Sequence, residues 1–146
     1  MTMRNSTISE GIYDQVMELV HDIVDATYAE DSGLIAKTHE ALRRYCVKQM
    51  MRGENHPFIP ETLADFTEDH ETAIRLYKQA LELAERTQNQ THSILLSLAE
   101  RYRELGLASE EKTCLEAAYK DAVSMGDEED IEKAETLLKE HQQMDA

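Results

Sequence analysis

Few side chains in this 146-residue chain combine the right type with a spacing that could support chemistry. Glu18 and His21 stand three apart in Glu18-Leu19-Val20-His21, the half-motif with which helical bundles hold a pair of metal ions. Such a centre needs a second copy and further glutamates, and this one stands alone. A solvated helix face is therefore the favoured reading, and a metal-dependent enzyme built on Glu18 and His21 the remote one. The remaining histidines, His39, His56, His70, His92 and His141, show no metal-ligand spacing with Cys46 and Cys114. A nucleophilic cysteine would need a histidine and an orienting group delivered to it by the fold. Both cysteines fall among apolar residues of helical segments and read as buried free thiols, with a disulfide left open. The five glycines are isolated, so no phosphate-cradling loop is encoded. No catalytic residue, metal site or cofactor is assigned, and the expectation is a non-enzymatic protein.

Charge narrows the partners. The formal net charge is −15, which argues against nucleic acid or an anionic membrane as the main partner, because both demand positive surface. The charge is unevenly placed. Residues 1–31 hold seven acids against Arg4, and 121–146 hold nine acids against two lysines. Residues 32–56 instead hold five basic residues against Glu40 and Glu54. Lys37, Arg43, Arg44 and Lys48 make this a basic stripe on one predicted helix, which reads either as a dock for an acidic partner or as a solvated face answering the acidic helices beside it. The acidic tail likewise reads as a mask for a basic surface or as a solubilising cap. The start, MTMRNSTISE, has no apolar core of a signal peptide, and the longest aliphatic run is Ile94-Leu95-Leu96, far short of a membrane span. The expectation is a soluble, cytoplasmic protein.

The elements that must position these groups read as all-α. Two prolines, five glycines and long stretches of Leu, Ala, Glu and Lys leave little to break a helix. Thr7 with Glu10 suggests a capping box that opens a first helix near Ile8, with Ile12, Val16, Leu19, Val20, Ile23 and Val24 on its apolar face. A second helix is expected over Leu34–Met51, capped by Asp31 or Ser32. Residues 53–60 hold both prolines and read as a loop, from which Phe58 and Ile59 tuck inward and a short helix over Glu61–Phe66 follows. Further helices are predicted over Glu71–Thr87, Thr91–Leu105, Ser109–Met125 and Glu128–His141, with Gly106 and Gly126 as turn residues. One domain over 1–146 follows, divided into an N-terminal hairpin (1–56), an irregular connection (57–68) and a repeat region (69–146).

Within that last region Ala73, Ala80, Ala84, Ala99, Ala117 and Ala118 recur with Tyr77, Tyr102 or Leu115 one turn away. A small residue lets two helix backbones approach, and the large neighbour fills the space beside it. The segment Ser97-Leu98-Ala99-Glu100-Arg101-Tyr102, followed by Leu105-Gly106, Leu115 and Ala118, resembles a tetratricopeptide repeat. Leu98, Ala99 and Tyr102 stand at the family's Leu, small and Tyr positions, Leu115 replaces its Phe, and Ala118 takes the last Ala. Ala73, Tyr77 and Ala80 repeat the second-helix half upstream. The step from Ala73 to Glu111 is 38 residues rather than the usual 34 or so, similar to the longer variant, of about 40 residues, in bacterial regulators of the family. The chain departs from the pattern in having no Trp, Glu111 where Ala is expected, and no closing Pro.

The resemblance implies stacked antiparallel helical hairpins, six or seven helices in all, with a groove lined by the first helix of each pair. On the helix around residue 98 the implied groove residues are Ser93, Leu96, Glu100, Arg103 and Glu104. The Lys/Asn clamp by which some members seize a peptide's terminal carboxylate is missing, since Leu96 and Ser97 stand there. The function expected is an adaptor or regulatory subunit that binds a partner protein with a basic surface. An immunity-type inhibitor neutralising a basic toxin or nuclease is the alternative. Homodimerisation through Leu137 and Leu138 is a further expectation.

Overall fold

The helices predicted from periodicity are present, with shifted ends. A computed structural model describes residues 7–145, which form α1 (Glu10–Tyr28), α2 (Ser32–Met51), α3 (Phe58–Asp65), α4 (His70–Arg86), α5 (His92–Glu104), α6 (Ala108–Met125) and α7 (Glu128–Asp145). No strand occurs among the described residues. Helices adjacent in sequence pack on one another, α1 with α2, α3 with α4, α5 with α6, and α7 on α6. The architecture is an all-α stack of antiparallel hairpins. No helix among the described residues is long and apolar enough to cross a membrane. The reading of an absent export signal rests largely on residues 1–6, which lie outside the described residues.

Two apolar clusters hold the stack. The larger unites α3 through α7 around Ala73, Tyr77, Ala80, Ala84, Leu98, Ala99, Leu115 and Ala118. The smaller joins α1, α2 and α3 through Val16, Ile23, Leu42, Cys46, Ile59 and Leu63, and Leu76 packs against both. Ala73, Ala80, Ala84 and Ala118 are fully buried and Ala99 is 2% exposed, so these methyl groups are the points of close helix approach. Burying a Leu115 side chain completely contributes on the order of 2–3 kcal/mol relative to leaving it in water. Ala117 is exposed, because it lies 100° round the helix from Ala118. At Glu111, where a small residue is expected, the carboxylate is buried and sits 2.8 Å from Arg103 Nε. The charge is tolerated there because it is paired.

Several expected boundaries move for local reasons. The Thr7–Glu10 capping box does not form. Ser9 is the N-cap, Tyr13 N donates to Ser9 O at 2.9 Å, and Ile8 packs against the smaller cluster before the helix begins. Asp31 caps α2, accepting from Leu34 N at 3.0 Å, but Leu34 itself is 42% exposed, as is Val24 of α1. The stretch 57–68 is mostly helical rather than irregular. The helix starts at Phe58, and Pro60 is accommodated in its first turn, where no backbone N–H is required. The Phe58 ring lies 5.1 Å from that of Tyr13, tying α3 to α1. Gly106 and Gly126, the expected turn residues, take φ of 73° and 71°, the left-handed geometry common at helix C-termini. Thr91 does not cap α5 with its own side chain. Asp121 of α6 reaches across instead, its Oδ2 accepting from Thr91 N at 2.8 Å and His92 N at 2.9 Å. Leu137 and Leu138 are partly buried against the larger cluster.

Candidate functional site

The groove is built from α3, α4, α5 and α7. On α5, Ser93, Ser97, Glu100 and Glu104 recur at steps of four, three and four and so lie on one side of the helix. On α3, Glu61 and Asp65 are four apart and likewise share a side. The two rows meet where Ser93 Oγ donates to Glu61 Oε2 at 2.9 Å. Below them Tyr77 of α4 projects its hydroxyl from the core and donates to Asp65 Oδ1 at 2.5 Å. A cavity of about 600 Å³ opens beside this contact, lined by Asp65, Tyr77, Ser97, Glu100 and Glu104 and bounded also by His70, Arg101, Arg103 and Leu137.

The electrostatics of the groove are asymmetric. Asp65, Glu100 and Glu104 supply three carboxylates, and Glu61 stands half-buried beside them on Ser93. Arg101 stands among them, but its guanidinium donates to backbone, to Ala64 O at 3.1 Å and Glu68 O at 3.4 Å, and lies 3.2 Å from His70 Nδ1. It also lies over the Tyr77 ring, 6.0 Å from the centroid. Arg103 is engaged elsewhere, with Nε on Glu111 and Nη1 on Glu140 at 3.0 Å, while its buried Nη2 has no hydrogen-bond partner. Burial raises the Glu61 carboxyl to about 6, against the opposing effect of the Ser93 hydrogen bond. Packing around Asp65 also raises its carboxyl, although the residue keeps an exposed edge and the Tyr77 hydrogen bond works the other way. The Tyr77 hydroxyl is pushed up by burial and then by Asp65, so it stays protonated and serves as a donor.

The expected site residues divide. Ser93, Glu100, Arg103 and Glu104 line or border the groove. Leu96 does not. It is 3% exposed in the larger core cluster, on the same side of α5 as Arg103, two turns on, which faces Glu111 of α6 and Glu140 of α7. Ser97 takes the groove position, one residue along. Glu61, Asp65, Ser97, Arg101 and the Tyr77 hydroxyl were missed. The four-residue step from Glu61 to Asp65, inside the short helix expected over Glu61–Phe66, is a signal that could have found the α3 side of the site.

The basic stripe is a separate surface. Arg43, Arg44 and Lys48 gather with Arg52 around Val47 and the exposed Met51, whereas Lys37 stands apart from them. Glu40 pairs with Arg43 at 2.7 Å and Arg44 at 3.4 Å, and the Arg43 hydrogen bonds lower its carboxyl. Glu18 and His21 are both exposed on α1 and gather no third donor among the described residues. Cys46 and Cys114 are buried and unbridged in different clusters, and burial pushes each thiol up to about 11. At neutral pH such thiols carry almost no thiolate, the form that attacks. Compared with known proteins, the sequence matches no protein-family model and no curated protein.

Proposed function

We propose that this chain is a non-enzymatic binding module of the tetratricopeptide type, whose groove takes a basic segment of a partner protein. The observation that carries this reading is that Asp65 on α3 and Glu100 and Glu104 on α5 line one cavity, where Arg101 is hydrogen-bonded to backbone carbonyls and Arg103 is paired with Glu111 and Glu140. Such a cleft favours Lys and Arg side chains, and the serines Ser93 and Ser97 with the Tyr77 hydroxyl add hydrogen-bonding groups along it. The net charge of −15 extends the attraction beyond contact and raises the encounter rate with a basic partner.

Fluorescence anisotropy with labelled peptides of about a dozen residues tests it. A Lys/Arg-rich peptide should bind, weaken steeply between low and physiological salt, and lose at least tenfold in affinity to the Glu100→Lys/Glu104→Lys double variant, with helix content unchanged by circular dichroism. Equal binding of an acidic peptide, or an affinity indifferent to the double variant, would dismiss the reading.

A further inference from the structure

At the other end of α5 from Glu100 and Glu104, the nearby Gln90 and the distant Asp127 and Asp130 converge on one imidazole. His92 begins α5 and is 1% exposed. Its Nδ1 lies 2.7 Å from Asp130 Oδ2, in the first turn of α7. Its Nε2 lies 3.1 Å from Gln90 Oε1 and 3.6 Å from Asp127 Oδ2. We infer that His92 Nε2, Asp127 Oδ2 and Gln90 Oε1 form a site for one divalent transition-metal ion, with Asp130 as the carboxylate that orients the ring.

Three features point to an ion. The first is spacing. Donors 2.0–2.1 Å from a tetrahedral metal sit roughly 3.3 Å from one another, and the two separations from Nε2 bracket that value. The Asp127 distance is too long for a hydrogen bond, yet the carboxylate faces the same nitrogen as Gln90. The second is the carboxylate on the far nitrogen. Metal-bound histidines donate their other N–H to a carboxylate that fixes tautomer and ring plane, and Asp130 stands in that place. The third is charge. Asp127, Glu128, Glu129 and Asp130 crowd the junction ahead of Lys133, so a dication there is favoured electrostatically.

The donor set selects the class of ion. One imidazole with carboxylate and amide oxygens suits Zn²⁺ and its neighbours rather than Ca²⁺ or Mg²⁺, which take oxygen alone. His92 closes the inner side, and Asp127, 36% exposed, leaves the outer side to water. The ion would tie the start of α5 to the start of α7, closing the end of the hairpin stack.

Isothermal titration of Zn²⁺ into chelator-treated protein is the test, with Co²⁺ absorption as a second readout. One ion per chain should bind, with a visible Co²⁺ spectrum typical of a nitrogen and oxygen donor set and a higher melting temperature in the presence of Zn²⁺. Asp127→Asn, which keeps an oxygen acceptor for the Asp130 N–H that Asp127 now receives at 3.1 Å, should weaken binding at least tenfold. His92→Gln should abolish it, and if that variant fails to fold, Asp127→Asn and Gln90→Ala decide. No saturable uptake up to millimolar Zn²⁺, or uptake unchanged in Asp127→Asn, would overturn the assignment.

Discussion

Glu61 is held beside the groove, on Ser93, at a cost to stability, and replacing it with glutamine should release that cost. Its carboxyl titrates at about 6 in the fold against 4.5 as its ordinary value. The folded state therefore holds the proton more tightly than the unfolded chain does. Below pH 4.5 both states carry the proton and Glu61 costs nothing. As pH rises through 4.5 the unfolded chain ionises first, and stability falls until the folded carboxyl has also ionised just above 6. At about 1.4 kcal/mol per pH unit the loss reaches about 2 kcal/mol by pH 7. Glu61→Gln removes the buried charge and keeps an oxygen to accept from Ser93 Oγ, so little of the hydrogen bond is sacrificed. Urea unfolding of both proteins at several pH values between 4 and 7.5 measures the difference. The two should be nearly equal at pH 4 and diverge to about 2 kcal/mol in favour of the variant at pH 7, a rise of roughly 4–8 °C in melting temperature for a chain of this size. The same variant should bind a basic peptide more weakly, since the charge that destabilises the fold also stands beside the recognising groove. A variant no more stable than its parent at pH 7, or a difference that does not change with pH, would refute the reasoning.

Other substitutions probe the packing and the buried pair. Arg103→Ala leaves the Glu111 carboxylate buried without its partner and should cost about 3 kcal/mol in urea unfolding, whereas Arg103→Met with Glu111→Ala should cost less than the sum of the single changes. Leu115→Ala opens a void in the larger cluster and should destabilise by about 2–5 kcal/mol, while Ala118→Leu should cost about 1–3 kcal/mol by forcing α6 away from its neighbours. Asp121→Ala removes the acceptor of two backbone N–H groups at the start of α5 and should cost about 1–2 kcal/mol, read by thermal melting. An exposed control, Ala117→Ser, should fall within about 0.5 kcal/mol of the parent.

Periodicity made the helices and their apolar faces legible before any coordinates. The alanines at 73, 80, 99 and 118 were readable as contact points because a methyl group repeated at helical spacing beside Tyr or Leu has one main use, close backbone approach. The left-handed turns at Gly106 and Gly126 were readable for a similarly local reason. Rotation about the helix axis was less legible. On α5 the resemblance placed Leu96 in the groove and left Ser97 out, an error of one residue that turns a side chain by 100° and exchanges core for solvent. Periodicity also hid the first turn of α3, because Phe58-Ile59-Pro60 reads as a loop until Pro60 is seen to fall where a helix needs no N–H.

What the amino-acid order determined by itself was therefore the one-dimensional content of the protein: seven segments that prefer to be helical, the faces they bury, the small residues at which they touch, and the sign of their charge. Only the tertiary structure decided which faces oppose one another. Glu61 meets Ser93, Arg103 meets Glu111 and Glu140, and His92 meets Asp127 and Asp130, each pair between 8 and 38 positions apart. Helical spacing is a local property repeating every 3.6 residues, whereas the meeting of two helices depends on how their side chains interdigitate across the whole stack, and no short stretch of sequence contains that information.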